Sequence, residues 1–394
     1  MLEKAQALFP ELSRLRRNIH KHPELGFQEF RTSALVADTL QEIGLEPKTG
    51  IGRTGVVAEL GSGDGPTIAI RADMDALPIN EKTGVAFCSV NEGVMHACGH
   101  DAHTAILLGV AHLLKQSYMQ EKEKWKGNVR FLFQPSEEKF GEDGISGATA
   151  MIDDGAMEGV DAVLALHVDS NAPAGEFHFH NGDSLANVDE FRGSIFAIGG
   201  HGAAPHQGND PFHMLSHVLN YLYSIPSRKI NPLRPSIISL GKIHGGAAPN
   251  VLPKQVTLVG TIRSYDQETR DKLWKEIEHA FKLTEHFGGS YELHFTKGYP
   301  ALHNAPNVNQ WMRNIAEEIA GTEKVTEQEF GMGAEDFAYM AQAAPGAMFM
   351  LGAKKDEMLR PHHTDVFDID ESVMPYGAAV LAETARRYVT GELK

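Results

Sequence analysis

The sequence predicts an α/β protein in which a larger domain, a mixed sheet flanked by helices, is interrupted by a smaller ferredoxin-like α+β domain. Helical patterns alternate with nearly continuous apolar strands in the first part of the chain, and this alternation returns at its end. The middle instead has the order β-α-β-β-α-β, with proline and glycine clustered on both sides. We therefore expect the larger domain at residues 1–184 and 298–394, and the inserted domain at 185–297.

The elements of the first part follow from hydrophobic periodicity. Residues 29–43 carry apolar side chains at helical spacing and stop at Gly44, and residues 101–115 show the same spacing. Four apolar runs are predicted as strands, and the last two are typical of central strands covered on both faces. These runs are residues 54–60, 67–73, 128–134 and 160–168.

The inserted domain is predicted from six segments of alternating type. They are strand 191–198, helix 211–224, strand 235–243, strand 255–263, helix 267–286 and strand 290–296. The end of the chain is predicted to return to α/β structure. Its elements are helix 307–320, helix 334–343, strand 347–352 and helix 371–389.

Composition and charge argue against several kinds of function. The 394 residues include 36 Lys and Arg against 52 Asp and Glu, a net charge of −16, and so acidic a surface repels phosphate backbones and disfavours nucleic-acid binding. No apolar run approaches the ~20 residues that a membrane span requires. Residues 1–20 read as a surface helix without a signal-peptide core, and Cys88 and Cys98 are too few for a disulfide framework. We therefore expect a cytoplasmic protein with reduced cysteines, of which Cys88 has no functional role.

A glycine-rich segment imitates a cofactor motif. GIGRTG at 50–55 matches the dinucleotide-binding pattern, which requires a strand before the glycines and a helix after them. Here a helix and a loop are predicted before the motif, and a strand follows it. We interpret the segment as a glycine-rich connection.

Residues of the types that bind metals collect at the ends of predicted strands. Thiolate, imidazole and carboxylate are the ligands of zinc-like ions. Taken singly, each segment also fits a polar loop, a solvated glutamate turn or a packed histidine, but loops at one sheet end converge in space, so together they favour a metal site. The segments are RADMDALP (71–78), MHACGHDAH (95–103), QPSEEKFG (134–141), LALHV (164–168) and PHHTDVFDID (361–370).

These motifs, with GHGAAPHQGNDP (200–211), AAPNVLP (247–253), GTIRS (260–264) and GAEDF (333–337), occur in an order that resembles one family. The chain is similar to the bacterial N-acyl-amino-acid amidohydrolases, the hippurate hydrolase, aminoacylase and indoleacetyl-amino-acid hydrolase branch of the dinuclear zinc peptidase superfamily. The resemblance extends from RRNIHKHPELGFQE (16–29) to the last helix.

The resemblance implies a site for two divalent metal ions, with zinc as the first expectation and manganese, cobalt or nickel as alternatives. Its ligands would be Cys98, His100, Glu138, His167 and His363. His363 is preferred to His362 because the family ligand lies four residues before the Phe, here Phe367. Glu137 would be the general base that accepts a proton from metal-bound water. Asp73 and Asp101 would lie behind the ligands and orient them.

The resemblance also implies what the enzyme would bind and cleave. His201, Asn250 and Arg263 of the inserted domain would contact the substrate, and the inserted domain would serve as a lid and as the surface of a homodimer. His201 would then act in its own site or in that of the partner. The expected reaction is hydrolysis of an N-acyl-L-amino acid, of the hippurate or N-acetyl type. The alternative is a dipeptidase or carboxypeptidase that uses the same metals.

Overall fold

A computed structural model describes residues 1–393 of the chain. The chain divides into two compact units. The first unit contains Met1–Gly182, His303–Phe330 and the residues from Asp336 onward, and the second contains Asp183–Leu302 and Gly331–Glu335. Among the described residues, no helix is both long and apolar enough to cross a bilayer.

Helices and strands are interleaved along both units. The helices are Leu2–Ala7 (α1), Phe9–Lys21 (α2), Phe30–Ile43 (α3), His100–Glu121 (α4), Gly147–Asp153 (α5), Pro211–Arg228 (α6), Gln267–His286 (α7), Pro306–Ala320 (α8), Phe337–Ala343 (α9) and Met374–Thr390 (α10). The strands are Lys48–Ile51 (β1), Gly55–Gly61 (β2), Thr67–Asp73 (β3), Asn128–Gln134 (β4), Ala162–Pro173 (β5), Phe177–Phe179 (β6), Gly182–Leu185 (β7), Asn187–Phe196 (β8), Gly200–His201 (β9), Ser236–Gly245 (β10), Val251–Leu252 (β11), Gln255–Ser264 (β12), Ser290–Lys297 (β13), Leu302–Asn304 (β14), Val325–Glu327 (β15) and Gly346–Lys354 (β16).

The first unit is built on a mixed sheet with the strand order β1-β2-β4-β3-β5-β16-β6-β15. β3 runs parallel to both β4 and β5, while β2 is antiparallel to β4. Every residue of β3 is buried, as expected for a central strand with helices on both faces. Asp73 at the end of β3 pairs with Gln134 at the end of β4, so the segments that follow these two strands leave the same edge of the sheet.

The second unit contains the predicted ferredoxin-like arrangement. Its four-stranded sheet has the order β10-β12-β8-β13, with every neighbouring pair antiparallel. Along β12 buried residues alternate with more exposed ones, and the buried side chains Val256, Leu258 and Ile262 pack with apolar residues of α6 and α7. One sheet face is therefore covered by helices. The fold class predicted from the sequence is confirmed.

Two local predictions need correction. The helix expected over residues 1–20 is two helices, because the chain breaks at Leu8 and α2 restarts with Pro10 in its first turn. The loop expected before GIGRTG contains strand β1, which pairs with β2 in an antiparallel hairpin. Gly50, at the irregularity in the register of β1, and Gly52, in the turn, have positive φ, which glycine adopts at little cost. A strand follows the glycines instead of a helix, so the segment lacks the helix that a dinucleotide site requires.

Candidate metal centre

The candidate centre lies in the first unit, where the chain leaves β3 and β4 and enters α4. Glu137 and Glu138 come three and four residues after β4 ends, and His100 is the first residue of α4. His167 lies within β5, which continues to Pro173 and does not end at the histidine as the sequence suggested. Parallel strands and a helix N-terminus therefore bring distant segments of the chain together.

Cys98 is shared by two groups of possible ligands. Its Sγ lies 3.5 Å from Nε2 of His167, and the ligand atoms of Cys98, His100 and His167 all lie within 4.8 Å of one another. Cys98, Glu138 and His363 form a second group that meets the same limit. The five residues expected as ligands are thus brought into two overlapping groups.

His100 is oriented by the backbone of the strand-end segment. Its Nδ1 donates a hydrogen bond to the carbonyl oxygen of Asp75 at 2.9 Å. Its buried Nε2 has no hydrogen-bond partner within the described chain. A buried polar atom without a partner is unfavourable, and a histidine held through one nitrogen with the other free is typical of a metal ligand. The residues present therefore fit a metal ion.

Asp75 also holds the two glutamates in place. Its carboxylate oxygens accept the backbone N–H groups of Glu137 at 2.9 Å and of Glu138 at 3.1 Å. Ser136, just before them, has φ of +43°, an unfavourable value for a non-glycine residue. Its N–H is held by the buried carboxylate of Glu29 at 2.8 Å. The surrounding hydrogen bonds thus stabilise a strained turn that brings both glutamate carboxylates to 3.9 Å from Nε2 of His100.

The electrostatics of the centre favour a cation. Burial raises the pKa of the Cys98 thiol well above its usual value, and the carboxylates of Glu138 and Glu137 raise it further. Burial lowers the pKa of His100, but Asp73 and Asp75 outweigh burial and raise it to about 10. Negative charge adds to the effect of burial on the pKa of Cys98 and dominates the raised pKa of His100. A divalent ion would reverse both shifts, since it stabilises the thiolate and the neutral imidazole.

The two adjacent histidines His362 and His363 occupy different environments. His363 has a left-handed backbone with φ of +61°, and its Nε2 lies 3.0 Å from Oε1 of Glu138, which raises its pKa. Nδ1 of His362 lies 3.7 Å from Sγ of Cys98, while its Nε2 accepts the N–H of Ser170 at 3.3 Å. Burial, followed by the neighbouring His167, lowers the pKa of His362 well below its usual value. His362 is thus a further candidate that the motif comparison set aside.

Asp73 and Asp101 have different neighbours. Asp73 accepts hydrogen bonds from Nδ1 of His103 at 2.7 Å and from Arg71 at 2.8 Å, and it lies 3.7 Å from Nε2 of His100. Asp101 instead binds a buried arginine, accepting from Nε of Arg16 at 3.1 Å. Asp73 therefore lies next to His100 of the candidate centre, whereas Asp101 belongs to a buried ion-pair network.

The residues expected to contact substrate lie in the second unit. β9 and β11 pair with His201 opposite Val251, and the carbonyl of Asn250 accepts the N–H of Gly202 at 2.8 Å, so these two segments form one ribbon. Nδ1 of His201 accepts the N–H of Ala203 at 3.0 Å. Arg263 lies on β12, where its Nη1 donates to the carbonyl of Met332 at 3.1 Å. His201 and Asn250 are brought together, and Arg263 comes from a separate strand.

Comparison with known proteins shows the same fold and similar sequences. Residues 69–387 match the peptidase family M20/M25/M40. The chain is 40% identical to thermostable carboxypeptidase 1 of Saccharolobus solfataricus, over 95% of this chain and 94% of that one. It is 37% identical to N-acetyl-L-cysteine deacetylase of Bacillus subtilis, over 96% and 88%. The crystal structure of a dinuclear metal-binding M20 peptidase from Bacillus subtilis superposes with a TM-score of 0.84, at 31% identity over 98% and 99%.

The fold, the site and these relatives define a hydrolase of amide C–N bonds. More specifically, the chain belongs to the M20/M25/M40 peptidase family, whose members include dinuclear metal-binding peptidases. The resemblance inferred from the motifs is confirmed. Sequence reasoning missed the role of Asp75 as the residue that holds His100, Glu137 and Glu138, although it is the second carboxylate of RADMDALP and follows a predicted strand.

Proposed function

We propose that the protein hydrolyses N-acyl-L-amino acids to a carboxylate and a free amino acid, using two divalent metal ions. The observation that carries this proposal is the unpartnered, buried Nε2 of His100, surrounded by a thiol and carboxylates. Such an arrangement is unfavourable without a cation. The relative named as an N-acetyl-L-cysteine deacetylase supports the acyl-amino-acid substrate class.

The proposed metal ligands are Cys98, His100, Glu138, His167 and His363. The mixture of thiolate, imidazole and carboxylate suits zinc first, with manganese, cobalt and nickel as alternatives. When bound, the metal ions supply Lewis acidity that polarises the substrate carbonyl and makes water a better nucleophile. Asp73 and Asp75 keep the histidines in position, the first by binding His103 and the second by binding His100.

Glu137 is the proposed general base. Its backbone is held by Asp75, and its Oε2 lies 3.9 Å from Nε2 of His100, beside the proposed ligands without being one of them. The carboxylate would take a proton from the attacking water and deliver it to the leaving nitrogen as the C–N bond breaks. The oxygen of water then remains on the acyl carbon, so the products are a carboxylate and an amine.

The second unit would recognise the substrate. Because Nδ1 of His201 accepts a hydrogen bond, a neutral imidazole carries its proton on Nε2 and can donate it to the oxyanion of the transition state. Arg263 is half-buried, and burial lowers its pKa, but a guanidinium stays charged and suits the free α-carboxylate of the amino-acid half. Asn250 would assist as a neutral hydrogen-bonding group. We also propose that this unit closes over the bound substrate as a lid.

A dipeptidase or carboxypeptidase is the second candidate function. It uses the same bond chemistry, since both substrate classes place an amide next to a free carboxylate. The relative named as a thermostable carboxypeptidase favours it. The two functions differ in whether the group on the acyl side carries a free amine.

We also propose a homodimer formed by the second unit and a cytoplasmic location. Large apolar side chains are exposed on that unit, which is typical of an association surface. They include Ile198, Tyr223, Leu233, Ile243 and Val251. A reducing compartment would keep the Cys98 thiol available for metal. Sedimentation equilibrium measures the oligomeric state, and a monomer at micromolar concentration would contradict the dimer.

The function is tested with purified protein reconstituted with each metal and assayed on hippurate, N-acetyl-amino acids and free dipeptides. We expect turnover of acyl-amino acids and, for Glu137→Gln, full metal occupancy with at least ~10²-fold lower kcat. The matched control is Glu142→Gln, an exposed glutamate in the same loop region, which should retain the wild-type rate. A near-normal rate for Glu137→Gln removes the residue from this role, and turnover of dipeptides alone selects the second function.

A further inference from the structure

We propose that His213 and His217 form a separate transition-metal site on the surface of the second unit. Both lie on α6, four residues and thus about one helical turn apart, and both are exposed. Their Nε2 atoms face each other at 3.4 Å. The chemistry of the candidate metal centre in the first unit makes no use of these residues.

The distance between the two nitrogens is the one that a shared metal requires. Zinc binds imidazole nitrogen at about 2.0–2.1 Å, and two ligands at a tetrahedral angle are then separated by about 3.3–3.4 Å. The Nε2 separation of 3.4 Å, at which the two rings also form a hydrogen bond, therefore matches the spacing of two ligands of one ion. The ring planes are nearly perpendicular, at 88°, so the contact is not ring stacking.

Packing holds both rings in this geometry. Met214, Leu215 and Val218 are buried in the core of the second unit and fix the rotation of α6. The ring of His217 stacks on Phe287 at a centroid distance of 4.6 Å and an angle of 21°. The ring of His213 meets the same phenylalanine edge-on at 5.0 Å and 78°. A site whose ligands are already ordered loses less entropy when it binds.

The ligand chemistry defines the class of ion. Two neutral imidazoles suit zinc, nickel and copper, with copper bound most tightly by the general order of divalent metals. Two protein ligands leave the remaining coordination positions open to water or to a side chain of another molecule. The site would thus be an exposed bidentate chelate, unlike the enclosed, carboxylate-rich centre of the first unit.

The test is calorimetric titration of zinc into the full-length protein whose catalytic metals have already been supplied as zinc. We expect one additional equivalent per chain, lost in His213→Ala and in His217→Ala, because alanine preserves the helix while it removes a ligand. Phe287→Leu should retain the equivalent with about 2- to 10-fold weaker affinity. His279→Ala, a histidine on α7, is the control and should bind like the wild type.

Two results would overturn the proposal. One is the absence of an additional equivalent in the wild type. The other is an additional equivalent that persists in both single alanine variants, which would assign it to other surface groups. Hydrolytic activity is measured in parallel and should not change, so failure of this proposal is distinguishable from failure of the proposed function.

Discussion

Both units of the protein contain buried arginines, and Arg16 of the first unit and Arg270 of the second are compensated differently. In the first unit Arg16 binds Asp101 at 3.1 Å and Asp368 at 2.9 Å, and it also lies 3.0 Å from Glu371. In the second unit, the buried guanidinium of Arg270 is paired with the carboxylate of Asp189. Three carboxylates thus contact the Arg16 guanidinium, and Arg17, His20 and Lys355 pair with them as well, whereas one carboxylate binds the buried arginine of the second unit.

The carboxylate of the Arg270–Asp189 pair receives its hydrogen bonds from residues of the second unit itself. Nε of Arg270 donates to Oδ2 of Asp189 at 2.8 Å. The remaining acceptor positions of that carboxylate receive the indole N–H of Trp274 at 2.7 Å and the backbone N–H of Gly298 at 3.0 Å. Buried charges are tolerated when they are paired and hydrogen-bonded in this way. The second unit therefore needs no further cation in its interior.

The first unit gathers further carboxylates at its candidate metal centre, where Asp75 and Glu138 have histidines as their charged neighbours. Asp101, which Arg16 binds, is adjacent to His100 in the first turn of α4, and Asp75 and Glu138 lie on the other side of that histidine. Carboxylates without a lysine or arginine partner are unfavourable in a low-dielectric interior unless other cations neutralise them. The first unit is thus assembled for metal binding, whereas the second is stable by its own pairing.

The largest predicted effect comes from removing the thiol of Cys98, which belongs to both groups of possible metal ligands. Cys98→Ala should lose metal occupancy and at least ~10²-fold in turnover, because even residues behind metal ligands typically cost 10–100-fold when removed. Elemental analysis and hydrogen exchange measure the result. Amides near α4 should exchange faster, while those of β8 and β12 in the second unit should not change.

Cys88→Ala is the matched control for that experiment. Cys88 is partly buried, lies 3.4 Å from the hydroxyl of Thr83 and is not among the candidate ligands. Its variant should retain both metal and activity. Full occupancy in Cys98→Ala would show that the thiol is not a ligand that the metal requires.

The next prediction compares the two arginines directly. Arg16→Met and Arg270→Met should each cost about 3–5 kcal/mol in the free energy of unfolding, because each removes a buried guanidinium from the carboxylates that it binds. Only Arg16→Met should also weaken metal binding, since Asp101 adjoins His100. Denaturant unfolding and metal titration measure the two quantities.

Conservative variants keep this comparison decisive if the methionine variants do not fold. Arg16→Lys and Arg270→Lys retain the charge but lose the two-pronged geometry, so they should be less destabilising. Two outcomes would argue against a connection between the Arg16 network and the centre. One is an equal loss of metal affinity in both lysine variants. The other is an unchanged metal affinity in Arg16→Lys although its stability falls strongly.

The sequence predicts the central elements well because their periodicity reflects burial on one or both faces. β5 begins with the apolar run Ala162–Leu166 and β12 alternates, as the two sheet environments require. The break between α1 and α2 is not predicted, because the apolar spacing continues through it. The short strands β6 and β15 are also missed, since three residues carry too little pattern to distinguish a strand from a loop.

The site is predictable where residue types are distinctive and unpredictable where backbone geometry decides. Cys98 and His100 stand out by type and spacing. Arg16 does not, because its partners Asp101 and Asp368 are 85 and 352 positions away and an isolated arginine usually reads as a surface residue. The hydrogen bonds from Glu137 and Glu138 to Asp75 involve backbone N–H groups, which every residue type other than proline possesses.

The smallest predicted effect concerns His20, which joins the Arg16 network through Nδ1, 2.8 Å from Asp101. Burial lowers the pKa of His20, but hydrogen bonds to Asp101 and Glu81 outweigh it and raise the pKa to about 9, from an ordinary value of 6.5. The folded protein thus holds this proton more tightly than the unfolded chain. Its contribution is fully present below pH 6.5 and is lost as pH rises through 9.

This linkage amounts to at most about 3 kcal/mol and should affect the first unit alone. The free energy of unfolding of the wild type should fall between pH 6.5 and 9 relative to His20→Gln, whose amide does not titrate. Hydrogen exchange of α2 and α4 reports the first unit, and β12 reports the second, where the Arg270–Asp189 pair contains no histidine. Parallel curves for the wild type and His20→Gln would show that His20 carries no extra proton in the folded state.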